Sequence, residues 1–230
     1  MKPNPISSSE LKDSLLADGA SIVGIADIEN LDEFFGFEES EFKKYTRAIS
    51  IGVQLSDEII DDIVDGPTLE YAQLYREANN ELDRIAKHLE KNLKKLNYHA
   101  LAIPASKRYN QETLAAIFPH KTAAILSGLG WIGKSALFIS FDYGPRVRLV
   151  TVLTNADIEA DKPQRESNCG SCNNCVEHCP AKAITGELWT FGDERSKLFD
   201  AYKCSIHTSK MKKEVGETIC GICIAVCPHS

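Results

Sequence analysis

The sequence predicts an α+β fold followed by a small cysteine-rich domain, and three observations support this prediction. Strand-like and helix-like segments alternate up to about residue 156, as in layered α/β or α+β domains. All eight cysteines lie after residue 168. Between these regions, residues 155–168 are polar and charged, which predicts a linker. The predicted domains are therefore residues 1–156 and 157–230.

Two segments carry helix signals. Ser7 and Glu10 have the spacing of a capping box, which predicts a first helix ending near Gly19. Pro67 and Thr68 open the longest predicted helix, in which apolar residues recur at steps of three and four and predict a face against a core. These apolar residues are Tyr71, Leu74, Tyr75, Ala78, Leu82, Ile85, Leu89, Leu93 and Leu96.

Short apolar segments predict the strands of the first domain, at residues 21–26, 48–53, 99–103, 136–140 and 147–153. Tyr143-Gly144-Pro145 predicts the turn between the last two strands.

Composition restricts the class of protein. The chain has 230 residues, a net charge of −7 and 43% hydrophobic residues, which fits an ordinary globular protein. No apolar run approaches the ~20 residues of a membrane span, and the N-terminus lacks the apolar stretch of a signal peptide. We therefore expect a cytoplasmic protein without membrane contact. The small basic excess at Lys203, Lys210, Lys212 and Lys213 is interpreted as a solvated surface rather than an RNA site.

The cysteines carry the strongest chemical signal. Cys169, Cys172, Cys175 and Cys179 follow the spacing C-x2-C-x2-C-x3-C and precede a proline, which is the bacterial ferredoxin pattern for 4Fe–4S clusters. Three further cysteines, Cys220, Cys223 and Cys227, repeat the last three positions, and Cys204 stands alone as the eighth thiol.

The spacing also predicts which thiols share a cluster. In two-cluster ferredoxins, the cysteine after the three-residue gap binds the other cluster. One predicted ligand set is therefore Cys169, Cys172, Cys175 and Cys227, and the other is Cys179, Cys204, Cys220 and Cys223. The alternative is zinc, but zinc sites usually pair two C-x2-C hairpins, and three cysteines at successive two-residue gaps favour clusters.

A glycine-rich segment from Gly128 to Ser135 matches two nucleotide-binding patterns, G-x-G-x-x-G and G-x-x-x-x-G-K-[ST]. Both patterns require a strand before the glycines and a helix after them. The residues that follow, Ala136 to Ser140, predict a strand, so we expect neither ATP nor NAD binding. A tight turn that packs Trp131 into the core and a turn that approaches another cofactor both remain open.

Most of the chain resembles epoxyqueuosine reductases, with specific motifs from about residue 118 onward, and the reductive dehalogenases share a related layout. The resemblance lies in the segment from Leu126 to Ser135, the hairpin after it, the cysteine pattern and the Asp200-Ala201-Tyr202-Lys203 run before Cys204. It implies a cobalamin-binding domain of nitroreductase-like fold beside two 4Fe–4S clusters that reduce the corrinoid. It also makes five residues candidates for lining the cofactor site: Gly128, Gly130, Trp131, Gly133 and Lys134.

The chain departs from that family at its catalytic acid. The family places an aspartate shortly before the glycine turn, whereas here Glu112 is the only acid between His99 and His120. Glu112 and His120 are therefore the candidate catalytic residues, and a helix-dipole role for Glu112 remains open. The acidic pI of about 5.4 and the end of the chain at Ser230 make tRNA a doubtful substrate.

The leading hypothesis is an iron–sulfur oxidoreductase of the epoxyqueuosine reductase type. It would take electrons from a donor such as ferredoxin or flavodoxin and act on a small molecule or a corrinoid. A non-catalytic electron carrier or docking subunit is the main alternative, and a redox sensor with labile clusters is a third.

Overall fold

The computed structural model describes residues 5–31, 42–106 and 118–229. Glu112 lies outside these ranges. The described helices are α1 (Ser8–Ala17), α2 (Asp57–Asp61), α3 (Leu69–Lys95), α4 (His120–Leu126), α5 (Asn174–Glu177), α6 (Arg195–Leu198), α7 (Ala201–Val215) and α8 (Ile222–Ala225), with a 3-10 turn at Phe42–Lys44. The strands are β1 (Ile22–Asp27), β2 (Arg47–Gln54), β3 (Ala100–Ile103), β4 (Gly130–Ile132), β5 (Phe138–Ser140) and β6 (Val147–Thr154).

The chain forms two compact units that interleave along the sequence. Unit 1 comprises the described residues of Met1–Val53, Asn79–Leu129 and Arg148–Gln164. Unit 2 comprises those of Gln54–Ala78, Gly130–Val147 and Arg165–Ser230. The cysteine-rich segment therefore shares its unit with two earlier parts of the chain. The domain boundary between residues 156 and 157 stays a prediction.

Unit 1 is built on a sheet of strand order β1-β2-β6-β3, in which β1 pairs antiparallel with β2 and β3 with β6. Its core is a set of apolar residues from these strands and from α3, with Leu82 and Ile85 of α3 fully buried. The 3.6-residue periodicity of α3 produces this face, as predicted. Leu96 is exposed, because the helix ends one residue earlier at Lys95.

The start of the chain and the polar segment after β6 are both tied to unit 1. The Glu10 N–H donates to Ser7 Oγ at 3.4 Å, which confirms the predicted cap of α1. Asp161 accepts hydrogen bonds from the Ile25 N–H at 2.8 Å and from Lys12 Nζ at 2.6 Å. The part of the predicted linker up to residue 164 is therefore packed structure, because its polar groups bond to the sheet and to α1.

Unit 2 has a separate apolar cluster. It joins Leu55, Ile60 and Tyr71 to residues after α7, including Ile219 and Ile222. The β4–β5 hairpin also lies in unit 2, with Trp131 opposite Ile139. The apolar cluster packs the segment that carries Cys220 and Cys223 against earlier parts of the chain. No helix within the described ranges is long and apolar enough to span a membrane.

Candidate metal centre

Two single-turn helices of unit 2 each carry a cysteine. Cys175 lies in α5 and Cys223 lies in α8, and the two helices pack together. Gly221 precedes α8 with a φ of +89°, a left-handed conformation that glycine adopts without a steric penalty. A Cβ at Gly221 would lie 2.7 Å from Ile63 Cδ1 and 2.9 Å from Tyr71 Cε1. A glycine is therefore needed here for the backbone to turn into α8 against the apolar cluster.

Five of the thiols line one cavity. They are those of Cys169, Cys172, Cys175, Cys223 and Cys227, and the wall is completed by Gly133, Lys134, Ser135, Ile139, Pro228 and His229. Gly133 lies against both the hairpin and the thiols, since a Cβ at this position would lie 3.0 Å from Ile139 Cγ1 and 3.5 Å from Cys169 Sγ. The glycine-rich segment and the cysteine pattern, predicted separately, thus meet at one site.

A second group of thiols surrounds Cys179, which is buried beside Ala183 and Ile184. Cys175, Cys204 and Cys223 pack against this small cluster. The Ala183 N–H donates to Cys179 Sγ at 3.4 Å. Cys204 reaches the group from α7, which begins after Asp200, whose carboxylate accepts from the Lys203 N–H at 3.0 Å.

Burial and mutual repulsion disfavour charge on these thiols. The pKa of Cys175 is raised to about 11 because the thiol is desolvated and faces Cys169, Cys227 and Cys172. Burial likewise raises the pKa of Cys223, and the neighbouring Cys220 and Cys204 add to the effect. All eight cysteines are free thiols in this structure. Such a set is stabilised as thiolates by a cationic metal centre, whose binding releases the protons.

Lys134 is a buried cation in the wall of the thiol cavity. Its residue is 6% exposed, and its Nζ donates to Asn173 Oδ1 at 2.9 Å. Asn173 is the residue before α5 and lies between Cys172 and Cys175 in sequence. Sequence reasoning identified Lys134 as a candidate cofactor residue but did not identify Asn173, because nothing in the cysteine spacing distinguishes that amide from the neighbouring Asn174.

Arg146 is a second buried cation of unit 2 that the sequence analysis missed. Its guanidinium donates to Asp57 Oδ1 at 3.0 Å and to Asp61 Oδ1 at 2.5 Å. Its charge acts on Cys227, where it opposes the rise in pKa that burial causes. Arg146 is paired with two carboxylates, which distinguishes it from Lys134.

The hairpin places Trp131 beside the cavity wall. Its ring centroid lies 5.2 Å from that of His229, edge to face, and 5.3 Å from that of Phe141. The indole is buried, and its Nε1 has no hydrogen-bond partner in the described part of the chain. Trp131 is thus packed into the interior, which is one of the two roles that the sequence left open, and its role as a cofactor-lining residue stays a prediction.

The glycine-rich segment lacks the context of a nucleotide site. It follows helix α4 and runs into the β4–β5 hairpin, so a helix precedes it and a strand follows. This is the reverse of the order that either nucleotide pattern requires. Gly130 serves the hairpin instead, since a Cβ there would collide with the Ile139 carbonyl.

The remaining candidates lie in unit 1 or outside the described residues. Gly128 follows α4 with a φ of +68°, and a Cβ there would collide with the Lys162 carbonyl. His120 is the first residue of α4 and bonds to Thr151 and Pro104. Among the described residues, no three His, Cys, Asp or Glu side chains are arranged to hold a single metal ion.

Comparison with known proteins supports the assignment of the thiols. Residues 168–230 match the family model described as a 4Fe-4S double cluster binding domain. The chain is 34% identical over 109 residues to an epoxyqueuosine reductase of Lactococcus garvieae, which covers 46% of this chain and 30% of that protein. It is 35% identical over 115 residues to the tetrachloroethene reductive dehalogenase of Sulfurospirillum multivorans, covering 46% of this chain and 23% of that one.

Solved structures show the same fold. The match to the catabolic reductive dehalogenase NpRdhA covers 94% of this chain and 31% of the dehalogenase chain, with a TM-score of 0.69 and 19% identity. The match to the epoxyqueuosine reductase of Streptococcus thermophilus covers 96% of this chain and 65% of the reductase chain, with a TM-score of 0.59 and 21% identity. The matched structures also include a reductive dehalogenase described with B12-dependent dehalogenation and an epoxyqueuosine reductase in complex with a tRNA stem loop.

These matches confirm the predicted resemblance and the mixed α/β fold with a C-terminal cluster region. The aligned part spans about a third of the length of the curated relatives, 30% and 38% for two epoxyqueuosine reductases. The chain is thus an iron–sulfur protein similar to epoxyqueuosine reductases and reductive dehalogenases, and its residues 168–230 carry the double 4Fe–4S cluster domain.

Proposed function

We propose that this protein is an oxidoreductase that passes electrons through two 4Fe–4S clusters to a corrinoid or a substrate bound by its N-terminal domain. The observation that carries the proposal is the cavity of unit 2 lined by five thiols, with further thiols grouped around Cys179. A cluster accepts and releases single electrons, so two neighbouring clusters suit electron transfer.

The proposed ligands are the two sets that the spacing predicts. Cys169, Cys172, Cys175 and Cys227 would hold one cluster, which agrees with the electrostatic coupling among these four thiols. Cys179, Cys204, Cys220 and Cys223 would hold the other. Cys179 and Cys204 belong to one packed group, and Cys223 contacts both sets because α5 and α8 are adjacent.

The protein contributes burial and hydrogen bonds to these sites. Partial burial reduces the contact of the sulfurs with water, and backbone N–H groups that donate to sulfur stabilise the electron-rich form. The Ala183 N–H makes such a contact with Cys179 Sγ at 3.4 Å. Both effects act on the reduction potential, which is the property that an electron-transfer protein must control.

The proposed acceptor is a corrinoid, and the proposed fold of residues 1–156 is nitroreductase-like. Gly128, Gly130, Trp131, Gly133 and Lys134 are the candidate lining residues. The unpartnered, buried Nε1 of Trp131 fits this role, since a buried N–H without an acceptor is costly unless a ligand accepts from it. A bound corrinoid would supply low-valent cobalt as the reductant.

Anaerobic purification tests the proposal in two steps. Iron and acid-labile sulfide should match two 4Fe–4S clusters, and zinc without sulfide would contradict the cluster assignment. Cob(II)alamin added to the anaerobic protein with its clusters oxidised should bind and show the electron paramagnetic resonance spectrum of a protein-bound form. Trp131→Phe should weaken that binding and retain the clusters, whereas full clusters without any corrinoid binding would contradict the proposed acceptor.

An electron carrier is the second candidate function, and one observation favours it. Tyr202 and Ile206 lie one turn apart on α7, the helix that carries Cys204, and they are 62% and 63% exposed. Exposed apolar residues beside a cluster ligand suit docking of another redox protein. This carrier would lack corrinoid binding, and its reduced clusters would be reoxidised only by a partner. The proposed donor in either case is a ferredoxin or flavodoxin in the reducing cytoplasm.

The substrate is a further proposal. The expectation that tRNA is doubtful is not confirmed, and an epoxyqueuosine reductase has been solved with a tRNA stem loop. We propose that this chain does not reduce epoxyqueuosine, since it lacks the aspartate that the family carries before the glycine turn. The test is reduced protein with cobalamin and epoxyqueuosine-containing tRNA. Multiple turnovers that Glu112→Gln or His120→Ala abolishes would contradict the proposal and identify the acid.

A further inference from the structure

Lys134 is buried next to thiols but has no carboxylate partner. The residue is 6% exposed, and its Nζ donates to the neutral amide of Asn173 at 2.9 Å. Among the described residues, no Asp or Glu forms an ion pair with it. An ammonium has three N–H donors, and Asn173 accepts only one.

A buried lysine without a counterion is unfavourable, because the charge loses its hydration and gains no compensating attraction. Buried charges in folded proteins are therefore paired or balanced by other charges. The ionisable groups that share the wall with Lys134 are five thiols and His229, and a 4Fe–4S cluster with four thiolates is a net anion. The anion that balances Lys134 is thus the occupant of the cavity.

The second ligand set lacks such a residue in the described part of the chain. Its neighbouring lysines, Lys182 and Lys203, are exposed, and Lys203 also lies 3.6 Å from Asp200. Water and salt screen exposed charges strongly. Arg146, the other buried cation, already pairs with Asp57 and Asp61.

We propose that Lys134 balances the charge of the cluster held by Cys169, Cys172, Cys175 and Cys227, and that it makes this cluster the easier of the two to reduce. This inference rests on the proposed clusters. One-electron reduction adds one negative charge and breaks no bond, and a cation in a poorly hydrated wall stabilises the added charge. Asn173 acts as a positioning residue that holds the ammonium at the cavity. Electrons would therefore collect on this cluster after entering through the other.

Potentiometric titration of the anaerobically purified holoprotein tests this inference, with each cluster followed by electron paramagnetic resonance. In Lys134→Met and Lys134→Gln, the couple with the higher potential should become at least tenfold harder to reduce, a fall of about 59 mV for a one-electron couple. The other couple should change much less. Lys134→Arg keeps the charge and should keep the potential. The matched control Lys203→Gln removes an exposed charge beside Cys204 and should leave both reduction potentials unchanged.

Several results would overturn the inference. One is unchanged potentials in both neutral variants with full cluster content. Another is a fall in the reduction potential of Lys134→Arg equal to that of the neutral variants, which would mean that side-chain shape rather than charge matters. If both neutral variants and Lys134→Arg all lose a cluster, Lys134 has a purely structural role. Wild-type protein without sulfide would contradict the clusters themselves, which separates failure of the proposed function from failure of this inference.

Discussion

His120 Nδ1 lies 2.9 Å from Thr151 Oγ1 in the interior of unit 1. The other ring nitrogen, Nε2, lies 3.2 Å from the Pro104 carbonyl oxygen, which can only accept. The neutral ring therefore carries its proton on Nε2, and the Thr151 hydroxyl donates to Nδ1. The pKa of His120 is lowered to about 4, chiefly because the ring is buried; the hydrogen bond to Pro104 opposes this effect and the positive charge of Arg148 adds to it. At neutral pH this side chain is uncharged.

The buried histidine predicts a loss of stability in mild acid. The pKa of His120 is about 4 in the folded state and about 6.5 when unfolded, so the unfolded state binds more protons between these values. Stability should be complete above pH 6.5 and fall as the pH drops toward 4, by up to about 3 kcal/mol. His120→Gln should lower the unfolding temperature at pH 7.5. Between pH 7.5 and 5.5, the unfolding temperature of this variant should decrease less than that of the wild type. His99→Gln, at an exposed position, should keep the wild-type pH dependence, and equal slopes in all three proteins would contradict the prediction.

The lone cysteine of α7 predicts selective damage to one cluster. Cys204→Ser replaces a soft thiolate with a poorer iron ligand, so the cluster of Cys179, Cys220 and Cys223 should be lost or altered. The other cluster should remain. Iron and sulfide should fall toward half of the wild-type content, with one reduced-cluster signal retained in the electron paramagnetic resonance spectrum. Ser205→Ala is the neighbouring control. Equal loss of both signals would contradict the proposed ligand sets.

Gly221 predicts a strong local effect of a single methyl group. Ala at this position would need a φ of +89° and a Cβ within 2.9 Å of Tyr71 Cε1. The left-handed conformation and the overpacking together should cost roughly 2–5 kcal/mol. Because Cys220 and Cys223 flank this turn, their cluster should also become labile. Gly216→Ala has a φ of +78° with nothing within 4 Å of its Cβ, so it should cost only about 1–2 kcal/mol. The unfolding temperature and the rate of cluster loss should be measured for both variants. Equal changes in Gly221→Ala and Gly216→Ala would refute the packing explanation.

The glycine-rich segment predicts a negative binding result. Isothermal titration of the holoprotein with Mg-ATP should give no micromolar binding, because no helix N-terminus follows the glycines to hold phosphate. NAD should behave in the same way. The known cluster content of the same sample confirms that the protein is intact. Saturable ATP binding that Lys134→Met removes would show that the phosphate-loop interpretation is correct.

Local patterns allowed much of the fold to be predicted. The Ser7 cap, the apolar face of α3 and the strands β1, β2, β3 and β6 agree with the sequence predictions within a residue or two. These features depend on residues three or four positions apart, or on alternation along a strand, so they can be recognised in the sequence. The sequence did not predict helix α4, because seven residues are too few to separate a buried helix from a buried strand.

The pattern of cysteines determined the cofactor class, since cluster ligation depends on spacings of two and three residues within a short loop. Only the tertiary structure decided which other residues share that site. Lys134 precedes Asn173 by 39 positions in sequence, and their 2.9 Å contact depends on how the hairpin and α5 pack. His120 is likewise an ordinary histidine in the sequence, and its low pKa follows from burial beside Thr151 and Pro104. Spacing sets local geometry, whereas desolvation and the placement of charge arise only when distant segments pack together.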